Sequence, residues 1–250
     1  MDRPVIVTFD GSFDGFLCVV YAHYYHKVQP LIIQPADHAQ LTLNEEVRHI
    51  STEPGQAARV LDGIRKKISD EAASHVYYAF LSYDDDKYMA LFWYIKRGFA
   101  IGHMIDSHLT EDCVRKIHKM AQHAGREAHL LFGFCRFAET TSGVYYCEIT
   151  PKNDVIAVVA NHFSQRLMNQ AWIIHDKKRG QAAVYNCESY VIATVPHDAT
   201  FEYAPSEKET QDLWAAFFTT LAIESRKNPK LQRQLLPLYF RKNMTEFKQL

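Results

Sequence analysis

Apolar positions recur along this chain in two different periods, and the switch between them organises the sequence. Val5-Ile6-Val7-Thr8-Phe9 is a short β-type run, closed by the turn signal Asp10-Gly11-Ser12. Residues 13–26 then take a helical period, with Phe16, Leu17, Val20, Tyr21 and Tyr24 on one stripe. Val47 to Ser51 reads as a second strand. From Pro54 to about Gly98 the pattern is helical again, with stripes at Ala57, Val60, Leu61, Ile64 and Ile68, at Tyr77, Phe80 and Leu81, and at Met89, Leu91, Phe92 and Ile95. A further helix is expected over Asp106 to His123, ended by Gly125.

After Gly125 the period shortens. Ala128 to Phe137 and Val144 to Ile149 read as strands joined by the hairpin signal Glu139-Thr140-Thr141-Ser142-Gly143. Val155 to Leu167 is helical. Ala171 to His175 and Ala182 to Tyr185 read as strands around the charged turn Asp176-Lys177-Lys178-Arg179-Gly180, and Tyr190 to Val195 as another. A long helix starts at Glu207. The expected fold is α+β: a helical N-terminal half with one or two short strands, then a mostly antiparallel sheet in the order β-β-α-β-β-β-α, covered by helices. Two regions are expected, a mainly helical 1–125 and an α+β 126–250 with a basic C-terminal segment. One continuous core fits the pattern equally well.

The last stretch changes character within a few residues. Ser206-Glu207-Lys208-Glu209 has the spacing of a capping box, and Leu213, Trp214, Phe217, Phe218 and Leu221 give the helix an apolar face. A basic, amide-bearing segment, Glu224 to Arg233, follows directly, and Pro229 disfavours helix at Asn228. From Glu224 to Leu250 there are seven Lys/Arg residues (Arg226, Lys227, Lys230, Arg233, Arg241, Lys242, Lys248) against two Glu. The whole chain of 250 residues carries a net charge of only −1, so any polyanion must be met by such a local patch.

With 47% apolar residues the chain can bury a core. Its five cysteines are far apart, and no CxxC, HExxH or H-x-E signature occurs, so no metal site and no cofactor are expected. Widely spaced free thiols fit a reducing compartment. No apolar stretch reaches membrane-spanning length, and Met1-Asp2-Arg3-Pro4 does not lead into a signal-type run. A cytoplasmic protein with no membrane partner is the expectation.

Three blocks, in order, carry a resemblance over nearly the whole chain. The first is residues 9–17, Phe9-Asp10-Gly11-Ser12-Phe13-Asp14-Gly15-Phe16-Leu17. The second runs from Phe134-Cys135-Arg136-Phe137 through Asn161-His162-Phe163-Ser164-Gln165-Arg166 to Trp172-Ile173-Ile174-His175-Asp176-Lys177-Lys178-Arg179 and Tyr185. The third runs from Leu213-Trp214 through Arg226-Lys227-Asn228-Pro229-Lys230-Leu231-Gln232 to Pro237-Leu238-Tyr239-Phe240. Together they resemble a bacterial family of DNA-metabolism or DNA-repair proteins built around a domain of unknown function. Its members are typically encoded beside a radical SAM protein, and a related domain occurs joined to a uracil-DNA-glycosylase-like domain. The resemblance implies DNA and a radical SAM protein as partners. The chain departs from many relatives at His175, where they have Tyr or a similar residue, which counts against a catalytic role for that histidine.

Four places could carry chemistry, each with a structural alternative. The Asp10–Gly15 turn could hold a phosphate at a helix start, although Asp10 and Asp14 would repel it without a metal; a plain strand–turn–helix connection capped by Asp10 or Ser12 is favoured. On one helix, Arg166 could grip a phosphate while Asn161 or His162 meets a base edge, against a merely polar helix surface. Trp172, His175, Asp176 and Arg179 flank a turn in which Lys177, Lys178 and Arg179 could contact phosphates, against a solvated hairpin tip. His175 and Asp176 are strand neighbours and should face opposite ways, which argues against a His–Asp pair. Arg226, Asn228, Lys230 and Gln232 would share one face if extended, with Lys227 between them; the alternative is that they cap carbonyls of the preceding helix. Asp10, Asp14, His162 and Asp176 are the weak catalytic candidates. These residues point first to a DNA-binding accessory protein acting with a radical SAM partner. A DNA-modifying or base-excising repair enzyme in its own right is the second possibility, and a protein-interaction module without a nucleic-acid role is the third.

Overall fold

The computed structural model describes residues 5–38, 46–196 and 198–247, and divides into two compact units, Met1–Gly125 and Arg126–Leu250. The first unit is built on β1 (Val5–Phe9), whose five residues are all buried. β1 lies between β2 (Pro30–Pro35) and β3 (Val47–His49), parallel to both. A parallel strand covered on both faces reads as a continuous apolar run rather than an alternating one, and residues 5–9 have that pattern. β2 escaped the sequence reading because prolines stand at both its ends. Proline is tolerated there because β2 is an edge strand and part of its donor row pairs with nothing. Four helices follow the expected stripes: α1 (Phe13–Tyr25), α2 (Pro54–Lys67), α3 (Asp70–Phe80) and α4 (Lys87–Ile101). Ser12 caps α1 by accepting from Gly15 N, and Ser69 caps α3 by accepting from Ala72 N, each at 2.9 Å.

The expected helix over Asp106–His123 is displaced. Residues 102–107 form a 3-10 segment, and α5 runs from Asp112 to Phe134. Gly125 does not end it. Buried Ile117, Met120, Ala121, Ala124, Ala128 and Leu131 keep helical spacing straight through the glycine, so the strand expected at Ala128–Phe137 is helix as far as Phe134 and a short connection after it. Alanine and leucine in a run do not distinguish a buried helix from a buried strand; the stripe's phase does.

The second unit is α+β, as expected. Its sheet has five strands in the order β4 (Ala138–Glu139), β5 (Tyr145–Ile149), β6 (Trp172–Asp176), β7 (Gln181–Tyr185) and β8 (Tyr190–Thr194). β5 and β6 are parallel, with α6 (Ile156–Arg166) as the crossover, and the other pairings are antiparallel. Then come α7 (Glu207–Thr220), α8 (Pro229–Leu235) and α9 (Leu238–Arg241).

Buried glutamates fasten this unit. Glu127 on α5 accepts from Lys152 N, Asn153 N and Asn153 Nδ2 at 2.8, 2.8 and 2.6 Å, and from the Tyr239 hydroxyl at 3.0 Å. Glu246 accepts from Arg136 Nη2 at 2.6 Å and from Trp214 Nε1 at 3.1 Å. Glu207 accepts from Glu139 N at 2.9 Å. That last bond replaces the expected capping box: Ser206 has helical dihedrals and makes no side-chain cap. The apolar face of α7 is not an anchor either, since Leu213, Phe217 and Leu221 are 65, 54 and 62% exposed.

Glu127→Ala should orphan buried backbone donors and destabilise the protein by about 3 kcal/mol or more in urea unfolding. Burial pushes the Glu246 carboxyl up, but hydrogen bonds from Arg136 and Trp214 outweigh it and hold the group below the ordinary carboxylate range. Its stabilising contribution is then present above the unfolded value near pH ~4.3 and is lost as pH falls through the lower folded value. Glu246→Gln should lower stability at neutral pH and flatten the acid limb of a stability–pH profile.

Candidate functional sites

The Asp10 turn is a cap. Asp10 Oδ1 accepts from Ser12 N at 2.9 Å and Ser12 Oγ at 2.6 Å, and Oδ2 accepts from Thr52 Oγ1 at 2.7 Å. These bonds outweigh the upward push of burial and hold the Asp10 carboxyl below its ordinary value. Ser12 Oγ already occupies the Gly15 amide that a phosphate would use. Gly15 is required because a Cβ there would run into the Asp10 carboxylate. Asp14 is exposed in the first turn of α1.

On α6, Ile156, Val159, Ala160 and Phe163 face the core, which leaves Asn161 and Arg166 exposed. His162 stacks flat on Phe132, with ring centroids 4.0 Å apart and an interplanar angle of 10°. Burial lowers its pKa, and nearby Arg166 and His129 lower it further, so His162 is a neutral ring at physiological pH. It can offer a hydrogen bond or a stacking surface, but not a charge.

The β6–β7 turn corrects the expectation of a ligand-facing rim. Trp172, His175 and Asp176 are each 0% exposed. Strand alternation does put His175 and Asp176 on opposite faces, but β6 is central and both faces are covered. Trp172 stacks on Tyr185 with centroids 5.0 Å apart. His175 Nδ1 shares a 2.9 Å hydrogen bond with the Tyr146 hydroxyl. Asp176 accepts from Lys178 N, Arg179 N and Arg179 Nη1 at 2.9, 3.3 and 2.8 Å, so this acid shapes the turn. Arg179 also donates to the carbonyls of Pro151 and Lys152 at 3.3 and 2.6 Å, and Lys178 Nζ reaches the Lys152 carbonyl at 3.4 Å. Lys177 Nζ lies 3.3 Å from Glu148. Lys177 and Arg179 close the turn onto residues 148–154, while Lys178 is exposed at its tip.

The basic segment is outside, but it is not extended. Glu224–Arg226 is a 3-10 turn, and α8 begins at Pro229, with Asn228 Oδ1 accepting from Leu231 N at 3.0 Å. Asn228 is therefore a cap, and Arg226, Asn228, Lys230 and Gln232 do not alternate along a strand. Every residue from 219 to 235 is exposed, including Arg226, Lys227, Lys230, Gln232 and Arg233. Lys227 lies 3.6 Å from Glu224, an exposed contact that salt screens readily.

The first unit brings together three residues that sequence reasoning passed over. His75 on α3, Asp106 in the 3-10 segment and His118 on α5 place one side-chain donor atom each within 4.8 Å of the others. Asp106 Oδ1 accepts from His118 Nε2 at 2.7 Å and from the buried Tyr94 hydroxyl at 2.6 Å. Burial pushes the Asp106 carboxyl up; these bonds and the two imidazoles prevail and hold it low. No short motif links the three positions, so spacing carried no signal.

The fold is thus that of an α+β protein with an exposed cationic C-terminal segment, and no helix among its described residues is long and apolar enough to cross a membrane. Residues 85–246 match the family model DUF4130, a domain of unknown function, and the chain belongs to that family. No curated protein matches the chain.

Trp172→Ala should cost about 3–5 kcal/mol in denaturant unfolding, as expected for emptying a fully buried aromatic site. An unchanged midpoint would put Trp172 on the surface instead.

Proposed function

We propose that this protein is a DNA-binding accessory factor in DNA repair or modification, acting beside a radical SAM partner. The observation that carries the first part is the exposure of Arg226, Lys227, Lys230 and Arg233 on one ordered turn-and-helix segment. Fixed cations next to solvent are what phosphate contact requires. Exposed Asn161 and Arg166, with the neutral His162 ring beside them, offer a base-edge and phosphate pair on a second element. The radical SAM partner enters through the family resemblance. The exposed apolar face of α7, with Leu213, Trp214, Phe217 and Leu221, supports association with a protein.

Catalysis by the protein itself is the second reading. It draws on the His75–Asp106–His118 cluster rather than on Asp10 and Asp176, which are held in a cap and a turn, or on Asp14 and His162.

DNA binding measured by fluorescence anisotropy should weaken steeply with salt. Four engaged phosphates predict a log–log slope of about −3 to −4, or roughly a 60- to 250-fold loss between 50 and 200 mM. Replacing Arg226, Lys227, Lys230 and Arg233 together by Ala should abolish most of that slope. No affinity at low salt, or affinity unmoved by the four substitutions, would remove the proposal.

A further inference from the structure

The first unit holds a constellation independent of the DNA-binding reading. His75 and His118 stand with ring centroids 4.3 Å apart, tilted by 40°, and both point a nitrogen at one oxygen of Asp106. His118 Nε2 is 2.7 Å from Asp106 Oδ1 and His75 Nδ1 is 3.5 Å from it. The three side chains are only partly buried, at 22, 20 and 28% exposure for His75, Asp106 and His118. We propose that His75, Asp106 and His118 form a binding site for a divalent first-row transition-metal ion.

The donor spacing is the first support. Metal–ligand bonds of about 2.0–2.2 Å place neighbouring donors roughly 3.0–3.5 Å apart, whether the ion is octahedral or tetrahedral. The two distances to Asp106 Oδ1 bracket that range, and the two imidazole donors lie within 4.8 Å of each other, so side-chain rotation that draws the rings together admits an ion. Binding exchanges the His118–Asp106 hydrogen bond for two coordination bonds, and the proton on His118 Nε2 leaves that nitrogen, so that the neutral ligating ring carries its proton on Nδ1.

The second support is an orphaned atom. His75 Nδ1 is buried without a hydrogen-bond partner, although it faces the carboxylate. A hydrogen-bonded structural cluster would satisfy such a nitrogen; a buried polar atom left unpaired is uncommon and calls for an ion or a water. Metal coordination uses that lone pair directly.

The third support is the outer shell. Tyr94 is 0% exposed and its hydroxyl donates to Asp106 Oδ1 at 2.6 Å. Ligating carboxylates are ordinarily held in orientation by such a second hydrogen bond.

The ligand set selects the ion. Two imidazoles and one carboxylate suit Fe²⁺, Co²⁺, Ni²⁺ or Zn²⁺, whereas Ca²⁺ and Mg²⁺ prefer all-oxygen surroundings. Three protein ligands leave coordination positions open. His75 and His118 also line a recess of about 550 Å³ together with Tyr78, Lys119 and Gln122. The Lys119 ammonium at that recess favours an anionic group as the additional ligand.

The test uses the full-length protein, stripped with a chelator and titrated with Co²⁺, with the visible d–d spectrum and bound metal as readouts. One equivalent should bind and raise the melting temperature. His75→Gln removes a ligand whose Nδ1 makes no hydrogen bond, so it should keep the apo melting temperature while weakening Co²⁺ by about 100-fold or more. His118→Gln should do the same to binding, and Tyr94→Phe should weaken it about 10- to 100-fold. Failure of the folded wild-type protein to bind Co²⁺ overturns the site. Undiminished binding in the folded His75→Gln variant also overturns it, because the ion would then sit on other histidines, and tighter binding of Mg²⁺ than of Co²⁺ overturns the ligand class. None of these readouts depends on DNA.

Discussion

A carboxylate taken out of water must find donors, and in the second unit that requirement ties together segments distant in sequence. Glu127 is 5% exposed and gathers donors from residues 152 and 153 and from Tyr239. An ionised group so deeply placed is tolerable only when hydrogen bonds replace its hydration. The consequence is positional: the loop before α6 and the segment bearing α9 are both referred to one point on α5. Glu207 and Glu246 repeat the device for β4, Arg136 and α7. Without these anchors the C-terminal segment would have little to order it, since residues 219–235 bury almost nothing.

The same accounting separates cations that hold the fold from cations that remain available. Arg179 meets an aspartate and two carbonyls, and Lys177 meets Glu148, so two of the three cations in the β6–β7 turn are used by the fold. The guanidinium there carries its charge 2.8 Å from Asp176. Among the described residues, Arg226, Lys230 and Arg233 have no carboxylate within ion-pair distance, and they stay in solvent. Two basic stretches therefore have different consequences, and the difference lies in what each stretch folds against.

Much of the architecture was legible in the chain. The apolar run at Val5–Phe9, the helical stripes of α1 to α4, the hairpin turn at Asp176–Gly180 and the crossover helix α6 all follow from period and turn chemistry. The misses have specific causes. β2 was hidden by terminal prolines that an edge strand accommodates. The end of α5 was taken for a strand because a glycine invited a break that the buried stripe ignores. The capping box of Ser206 and Glu209 is absent because Ser206 has helical dihedrals and its side chain makes no cap. Site residues were less legible than elements. Trp172 and His175 resemble rim residues in one dimension, and only the covering of both faces of β6 makes them core.

The chain by itself determined where helices and strands lie, because amphipathic period is a local property that neighbouring residues express together. It also determined that positive charge gathers near the C-terminus. What tertiary structure alone decided is which side chains share a point in space. His75, Asp106 and His118 come from three segments with no common spacing, and they meet because α3, α5 and the 3-10 turn pack around Tyr94. Coordination and charge neutralisation act over a few ångströms of space, whatever the separation along the chain, and that is why they could not be read from order alone.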